Sequence, residues 1–385
     1  MWEPAEKMRD VKPSGIRKLA EKKGPRTISF DIGEPDFNPP THVTEAIIKA
    51  IKESKTKYSP TCGLPQLRKL TADYYSRAFE KPVHDDEIII TPGASGALTL
   101  GVLAYTNYGD KVLYPDPGFP NYEGLIRVVG ARPVPFKLDR QNNFSLNLSN
   151  FEKSVKEHKP KIVIFNYPEN PLGVVEDEKT LEEAAEICEE NDAAIISDEV
   201  YDRIIYEKKH VPLRRLSDNV LTVNSNSKTL CMTGYRLGIA ISPDKSVAAN
   251  LSNAQQYTTA CPSTESQYGM IAALEKQEET DRFIRNMVDT FKERRDLIVG
   301  ELNSMKIIKC ERPDGAFYVF PNIERTGMSS QQFSDYLVER ADITTVPGVV
   351  FGENGEGHLR ISYATNSIFV REGMNRMKIA VKPLL

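Results

Sequence analysis

The stretch VLTVNSNSKTLCMTGYRLG, residues 220–238, decides which fold the chain is expected to have. A β-branched run ends in small polar residues, which are followed by Lys228 and, eight positions later, by Arg236. Polar and basic residues directly after a buried strand are typical of the edge at which open α/β sheets bind ligands. Because most lone lysines are solvated side chains, the rest of the chain has to decide whether Lys228 has a function.

Further short apolar runs predict a mainly parallel sheet. They are bounded by Gly, Pro, Asp or Asn, and helical patterns separate them, as in an α/β domain with crossover helices. The predicted strands are EIII (87–90), KVLY (111–114), KIVIF (161–165), AAIIS (193–197), VLTV (220–223) and LGIAIS (237–242).

The pattern changes beyond about Asp281, where a long charged helical segment precedes strands around AFYVF (316–320) and LRISY (359–363). A chain of 385 residues exceeds the length at which single cores stop growing. We therefore expect two domains. The large α/β domain is predicted for residues 41–284, and a smaller α+β domain is predicted to combine residues 1–40 with residues 285–385.

Composition favours a protein that acts on small molecules. A formal net charge of -4 provides no general field for binding nucleic acid. The five cysteines are odd in number, widely spread and free of CxxC pairs, which argues against a disulfide framework or a metal site and fits a reducing, cytoplasmic location.

A membrane location is not expected. The first ten residues, MWEPAEKMRD, carry charges where an export signal needs an apolar core. Residues 88–109 contain no charge, but Pro and Gly interrupt them, so they predict a strand that leads into a buried helix rather than a membrane span.

A second group of candidate residues follows the predicted strand AAIIS, which leads into Asp198 and Tyr201. An aspartate at this position could simply cap a helix. However, a cofactor with a pyridinium nitrogen needs a carboxylate fixed at that nitrogen and a lysine that holds its aldehyde. Asp198 and Lys228 are therefore more informative together than either residue is alone.

SDEVY (197–201) followed by SNSKTLCMTGYRLG (225–238) resembles the fold-type I aminotransferases of class I/II, which depend on pyridoxal 5'-phosphate (PLP). The resemblance covers nearly the whole chain. Six further segments match: GEPDF (33–37), YSPTCGLPQLR (58–68), TPGASGAL (91–98), NYPENPLG (166–173), DGAFYVF (314–320) and HLRISYAT (358–365). The resemblance implies the PLP-dependent transferase fold of type I, with a mainly parallel seven-stranded sheet in the large α/β domain and a smaller α+β domain.

The resemblance also implies roles at the cofactor ring. Lys228 would bind the cofactor aldehyde and act as the base, and Asp198 would pair with the ring nitrogen. Tyr201 and Asn170 match the family's hydrogen-bond donors to the ring 3'-oxygen, although a packed tyrosine and an Asn-Pro turn are the alternatives. Phe119 falls where the family stacks an aromatic ring on the cofactor, and it could equally be a core residue.

The cofactor phosphate requires a dense set of hydrogen-bond donors, which a helix N-terminus and an arginine can supply. The resemblance assigns Tyr58 to the phosphate of the neighbouring subunit, which implies a homodimer with shared active sites. The predicted phosphate-binding residues are Gly93, Ala94, Ser95, Ser225, Arg236 and the Tyr58 contributed by the neighbouring subunit.

Two further residues are assigned to the amino-acid substrate. Arg360 resembles the arginine that holds the α-carboxylate, for which its planar fork is suited, whereas most lone arginines are solvated. Gly33 would allow the backbone to approach the same carboxylate. Asn170 is expected to contact the substrate as well as the cofactor.

The sequence leaves the preferred substrate open. Leu172 stands where the family commonly has Thr, Glu169 where a small or polar residue is frequent, and Gly118 where an aromatic residue is common. The motifs favour transfer from aspartate to 2-oxoglutarate by a ping-pong mechanism. Aromatic amino acids, alanine and kynurenine remain alternative substrates, and a carbon-sulfur lyase or an aminocyclopropane-carboxylate synthase remains possible. A PLP-binding regulator is disfavoured, because no DNA-binding module fits before Gly33.

Overall fold

The structure is a computed structural model that describes residues 2–13, 15 and 24–384. Among these residues the strands, in chain order, are β1 (Ile28–Ser29), β2 (Ile88–Thr91), β3 (Lys111–Asp116), β4 (Arg132–Lys137), β5 (Ile162–Asn166), β6 (Ala194–Asp198), β7 (Val220–Ser225), β8 (Gly238–Ile241), β9 (Tyr318–Val319), β10 (Ile343–Thr344), β11 (Val346–Pro347) and β12 (Leu359–Ser362).

The helices alternate with the strands of the central sheet and dominate the C-terminal part. In chain order they are α1 (Thr41–Lys52), α2 (Pro65–Phe79), α3 (Gly93–Tyr105), α4 (Asn121–Val129), α5 (Leu148–His158), α6 (Glu178–Glu190), α7 (Leu213–Leu216), α8 (Asn226–Thr229), α9 (Lys245–Thr258), α10 (Thr264–Glu275), α11 (Gln277–Asn303), α12 (Ser330–Ala341) and α13 (Ser367–Val381).

Seven strands form the central sheet in the order β2-β8-β7-β6-β5-β3-β4. All neighbours from β7 to β4 pair in parallel, and β8 is antiparallel to both β2 and β7. This confirms the expected mainly parallel, seven-stranded α/β sheet. Helices on both faces bury the apolar strands, so that every residue of β5 is buried.

Of the seven strands in the central sheet, the sequence pattern did not predict β4, and it predicted the other six to within one or two residues. Pro133 and Pro135 interrupt β4, which lies at the edge of the sheet and pairs with β3. Prolines remove ladder donors and are therefore confined mostly to edge strands. An apolar run broken by two prolines does not look like a strand until its neighbour is known.

The uncharged stretch at residues 88–109 forms β2 and the helix α3, as the sequence predicts. Within the described ranges, no helix combines the length and the apolar content that crossing a membrane requires. Helix α3 instead packs its buried side chains against the central sheet.

Two smaller sheets lie outside the central sheet in the described chain, and the one formed by β1 and β10 connects the N-terminal and C-terminal segments. Strand β1 pairs in parallel with β10, and β12 lies between β11 and β9 in an antiparallel sheet of three strands. Ile28 and Phe30 pack in one apolar cluster with side chains of α11, α12 and α13. The domain boundaries given above stay a prediction, and residues 1, 14 and 16–23 of the predicted N-terminal segment lie outside the described residues.

Candidate active site

Three neighbouring parallel strands end at one edge of the sheet. Their last residues are Asn166 of β5, Asp198 of β6 and Ser225 of β7, and Asn166 is the register partner of Asp198. A cavity of about 530 Å³ opens at this edge. Among the residues predicted for the site, it is lined by Gly33, Ala94, Ser95, Phe119, Asn170, Asp198, Tyr201, Ser225, Lys228, Arg236 and Arg360.

Lys228 projects into this cavity from the short helix α8. The hydroxyl of Ser225 begins that helix by accepting a hydrogen bond from the backbone of Ser227. The Lys228 Nζ donates to the carbonyl oxygen of Gly33 at 2.6 Å. Burial, reinforced by the positive charge of Arg360, lowers the pKa of Lys228 to about 8. An amine with this pKa can hold or release a proton near neutral pH.

Hydrogen bonds hold both the side chain and the backbone of Asp198. Its Oδ2 accepts a hydrogen bond from the phenol of Tyr122 at 2.7 Å, and its backbone oxygen accepts one from Asn166 Nδ2 at 2.8 Å. Burial raises the pKa of Asp198 to about 6, and the Tyr122 hydrogen bond opposes that rise. No helix begins at Asp198 in the described chain, because a turn follows the strand, so the helix-cap interpretation is wrong.

Arg360 extends from β12 and is only 1% exposed, so it is not a surface arginine. Its Nη1 donates to Asn170 Oδ1 at 3.2 Å and its Nη2 to the Asp31 carbonyl oxygen at 2.5 Å. The guanidinium lies over the rings of Tyr318 and Phe351, at 4.6 and 5.1 Å. Its Nε is buried and has no hydrogen-bond partner among the described residues. An arginine buried with spare donor capacity is suited to binding a carboxylate.

Tyr201 lies beside Lys228, and the Lys228 Nζ is 5.9 Å from the centre of the Tyr201 ring. The Tyr201 hydroxyl hydrogen-bonds to the hydroxyl of Tyr318 at 2.9 Å. A Cβ at Gly33 would lie 2.3 Å from that Tyr318 hydroxyl. A side chain at position 33 would therefore press against Tyr318, and the expected approach of a substrate carboxylate to Gly33 stays a prediction.

The basic end of the cavity lies at the first turn of α3. Gly93 has a φ of +74°, and a Cβ on it would lie 2.6 Å from Arg236 Nη2. A Cβ on Gly238 would collide with the carbonyl carbon of Gly93. The glycines thus bring the helix N-terminus and the Arg236 guanidinium together, and both attract anions.

Two predicted cofactor residues do not line the cavity. Gly93 lies directly behind it, against Arg236. Tyr58 is 91% exposed and lies outside it, so a phosphate role for Tyr58 would have to be exercised in another subunit.

Six polar residues of the cavity wall were not predicted from the sequence: Glu34, Tyr122, Asn166, Ser227, Thr233 and Tyr318. Asn166 links two of the predicted residues, because its Nδ2 donates to Asp198 and its Oδ1 accepts from the Asn170 backbone at 3.0 Å. Tyr318 belongs to the motif DGAFYVF, and the available signal was that a tyrosine in an apolar run needs a partner for its hydroxyl.

The chemistry of these side chains fits PLP. The arginine and the helix N-terminus match its phosphate, the fixed carboxylate of Asp198 matches its ring nitrogen, and the amine of Lys228 matches its aldehyde. Phe119, which also lines the cavity, offers an aromatic ring.

Known proteins are similar to this chain in both sequence and fold. Residues 25–374 match the family model of aminotransferase class I and II. The aspartate aminotransferase of Pyrococcus horikoshii is 38% identical over 98% of this chain and 97% of its own length. Aromatic-amino-acid aminotransferase 2 of Thermococcus litoralis is 35% identical over 98% of both chains. The solved aspartate aminotransferase from Thermus thermophilus with maleate has a TM-score of 0.94 at 30% identity, over 99% of this chain and 100% of that one.

The fold and the cavity thus define a PLP-dependent transferase of fold type I. The match to the family model and these relatives show that the chain belongs to the aminotransferase class I and II family. Members of this family use PLP and act on amino acids and 2-oxo acids, and this chain is accordingly a PLP-dependent aminotransferase.

Proposed function

We propose that the chain transfers the amino group of aspartate to 2-oxoglutarate. The observation that carries amino-group transfer is the placement of Lys228 and Arg360 in one cavity, with an amine of lowered pKa and a buried arginine. The names of the relatives from Pyrococcus horikoshii and Thermus thermophilus support aspartate as the donor.

Each residue has a defined task in this proposal. When bound, PLP supplies the electron sink that amino-group transfer requires. Lys228 would hold the cofactor aldehyde until a substrate amine takes its place, and the freed Nζ would then take a proton from the substrate Cα and return one as the amino group is transferred. Asp198 keeps the ring nitrogen protonated, and Arg360 binds the substrate α-carboxylate and so orients the Cα. Arg236 and the α3 N-terminus hold the phosphate.

The visible spectrum of the purified protein with added PLP tests this function. Aspartate, phenylalanine, tyrosine, alanine and kynurenine are titrated separately, and the loss of the aldehyde-form absorbance is recorded as the amine form of the cofactor appears. We expect aspartate to cause this conversion at the lowest concentration, and 2-oxoglutarate to reverse it. Absence of conversion by any amino acid would instead favour a lyase or an untested donor.

Aromatic-amino-acid transfer is the second candidate. Within the described part of the chain, the cations that line the cavity are Lys228, Arg236 and Arg360, and each already has a task. None of them is left for the second carboxylate of aspartate. Apolar Leu98 and Ile32 also line the cavity, which suits an uncharged substrate side chain. This candidate is selected if phenylalanine or tyrosine converts the cofactor to its amine form at a lower concentration than aspartate does.

We infer that the active unit is a homodimer with shared sites. Tyr58 is 91% exposed and Tyr257 is 87% exposed, and Ile48 and Ile51 of α1 are also exposed. Large exposed apolar side chains are typical of surfaces that a partner covers. A second subunit would cover them, and its site would receive the Tyr58 hydroxyl at the phosphate.

Complementation between two inactive variants tests the shared site. Lys228→Ala and Tyr58→Ala are each expected to have little activity, whereas dissociated and reassociated mixtures should recover about a quarter of the wild-type activity, because half the dimers are mixed and each has one intact site. Transfer rates and sedimentation measure the outcome. If the activity of the mixture does not exceed the summed activities of the two variants, Tyr58 acts in the site of its own subunit or in no site.

We further propose a cytoplasmic location. All five cysteines are free, and Cys188, Cys231 and Cys310 are buried. Burial raises the pKa values of these three thiols, so they are poorly reactive. Unpaired cysteines of this kind suit a reducing compartment.

A further inference from the structure

Tyr122 forms the shortest contact to the carboxylate of Asp198. The tyrosine lies in the first turn of α4 and is fully buried, with 0% of its surface exposed. Its phenol donates to Asp198 Oδ2 at 2.7 Å, whereas the other hydrogen bond to this carboxylate in the described chain, from the Val200 backbone to Oδ1, is 3.4 Å long. Tyr122 is therefore the side chain that orients the Asp198 carboxylate.

Tyr122 also contacts the aromatic residue of the cavity. The rings of Tyr122 and Phe119 meet edge to face, with centroids 5.6 Å apart and an interplanar angle of 85°. Both residues line the cavity together with Asp198. Tyr122 thus touches the two groups predicted to contact the cofactor ring at its nitrogen and on its face.

We propose that Tyr122 is a positioning residue whose phenol keeps Asp198 ionised and aimed at the ring nitrogen of PLP; this inference rests on the proposed function of the site. A hydrogen bond to a carboxylate stabilises its charged form. Asp198 needs that stabilisation because it is only 3% exposed, and burial alone favours the protonated acid. Without the phenol, Asp198 becomes more basic and competes with the ring nitrogen for the proton.

Tyr122→Phe removes this hydroxyl and keeps the ring against Phe119. The holoenzyme is prepared with PLP that carries ¹⁵N in its ring. We expect the ¹⁵N chemical shift to move from the value of a protonated ring toward that of an unprotonated ring, because Asp198 takes a larger share of the proton. The dissociation constant for PLP should rise about ten-fold, because an Asp198 that is less ionised and less firmly oriented pairs more weakly with the protonated ring nitrogen.

Two comparisons separate positioning from packing. Tyr75→Phe is the matched control, because Tyr75 is also buried, at 5% exposure, and lies outside the cavity; this variant should match the wild type in both measurements. In an Asp198→Asn background, Tyr122→Phe should no longer change PLP affinity, since the carboxylate on which it acts is gone. Thermal unfolding of each variant checks that the fold is retained.

The proposal is overturned by a Tyr122→Phe holoenzyme with the wild-type ¹⁵N shift and PLP affinity, or by an undiminished Tyr122→Phe effect in the Asp198→Asn background. Both readouts are taken without any amino acid. They are therefore independent of amino-group transfer, and failure of the wild type to convert amino acids would reject the proposed function without rejecting the role of Tyr122.

Discussion

Lys228→Ala is expected to lower the rate of amino-group transfer by at least about 10³-fold, because the variant loses both the amine that holds the cofactor and the base at the substrate Cα. The amine is suited to this task because burial and the charge of Arg360 lower its pKa to about 8. Single-turnover formation of the 2-oxo acid measures the loss, and the aldehyde-form absorbance at the wild-type wavelength should disappear.

A surface lysine provides the control for this variant. Lys208 is half exposed and pairs with Asp314 at 2.9 Å. Lys208→Ala also removes one lysine charge and should retain the wild-type transfer rate. The contradicting result is a Lys228→Ala protein that is folded by circular dichroism and still turns over amino acids, since another residue would then carry the cofactor.

The sequence predicted the sheet and most of the cavity wall because both depend on short segments of the chain. Apolar runs bounded by turn residues define strands, and parallel strands bring the residues that follow them to one edge, as Asp198 and Lys228 show. The family resemblance then pointed to Arg360, which is 162 residues away from Asp198 along the chain and yet lines the same cavity.

What the sequence did not predict depends on contacts between distant residues. The hydroxyl of Tyr122 meets a carboxylate 76 positions away, and nothing in PNYEG indicates its partner. A Cβ on Gly33 would collide with the hydroxyl of Tyr318, which is 285 positions away along the chain. Strand β4 became recognisable only beside β3. The assigned roles, including that of Tyr58, stay predictions that the variants above test.

Arg360→Ala is expected to raise the KM for amino acids about 100-fold while kcat changes much less. A paired, charge-assisted hydrogen bond to the substrate carboxylate contributes about 1.5–3 kcal/mol, and a factor of ten in affinity corresponds to about 1.4 kcal/mol. The loss concerns substrate binding, since Lys228 and Asp198 remain in place. Steady-state kinetics with the preferred amino acid and 2-oxo acid measure both constants.

Two further variants make this expectation specific. Arg360→Lys keeps a positive charge but loses the planar fork that reaches Asn170 and Asp31, so its KM should lie between those of the wild type and Arg360→Ala. Arg325→Ala removes an exposed arginine and should leave KM unchanged. An Arg360→Ala enzyme with the wild-type KM would exclude Arg360 from carboxylate binding.

The pH dependence provides a second readout of the same arginine. Arg360 is the largest influence on Lys228 after burial, and its positive charge lowers the pKa of the lysine. Removing that charge should raise the pKa of the Lys228 amine in the cofactor-free protein, so the rate at which this amine captures added PLP should reach its maximum at higher pH in Arg360→Ala than in the wild type. If Arg360 contacted only the substrate, its removal would raise KM without changing the pH dependence. Because Arg360 lies close to Lys228 as well, its removal should change KM and the pH dependence together.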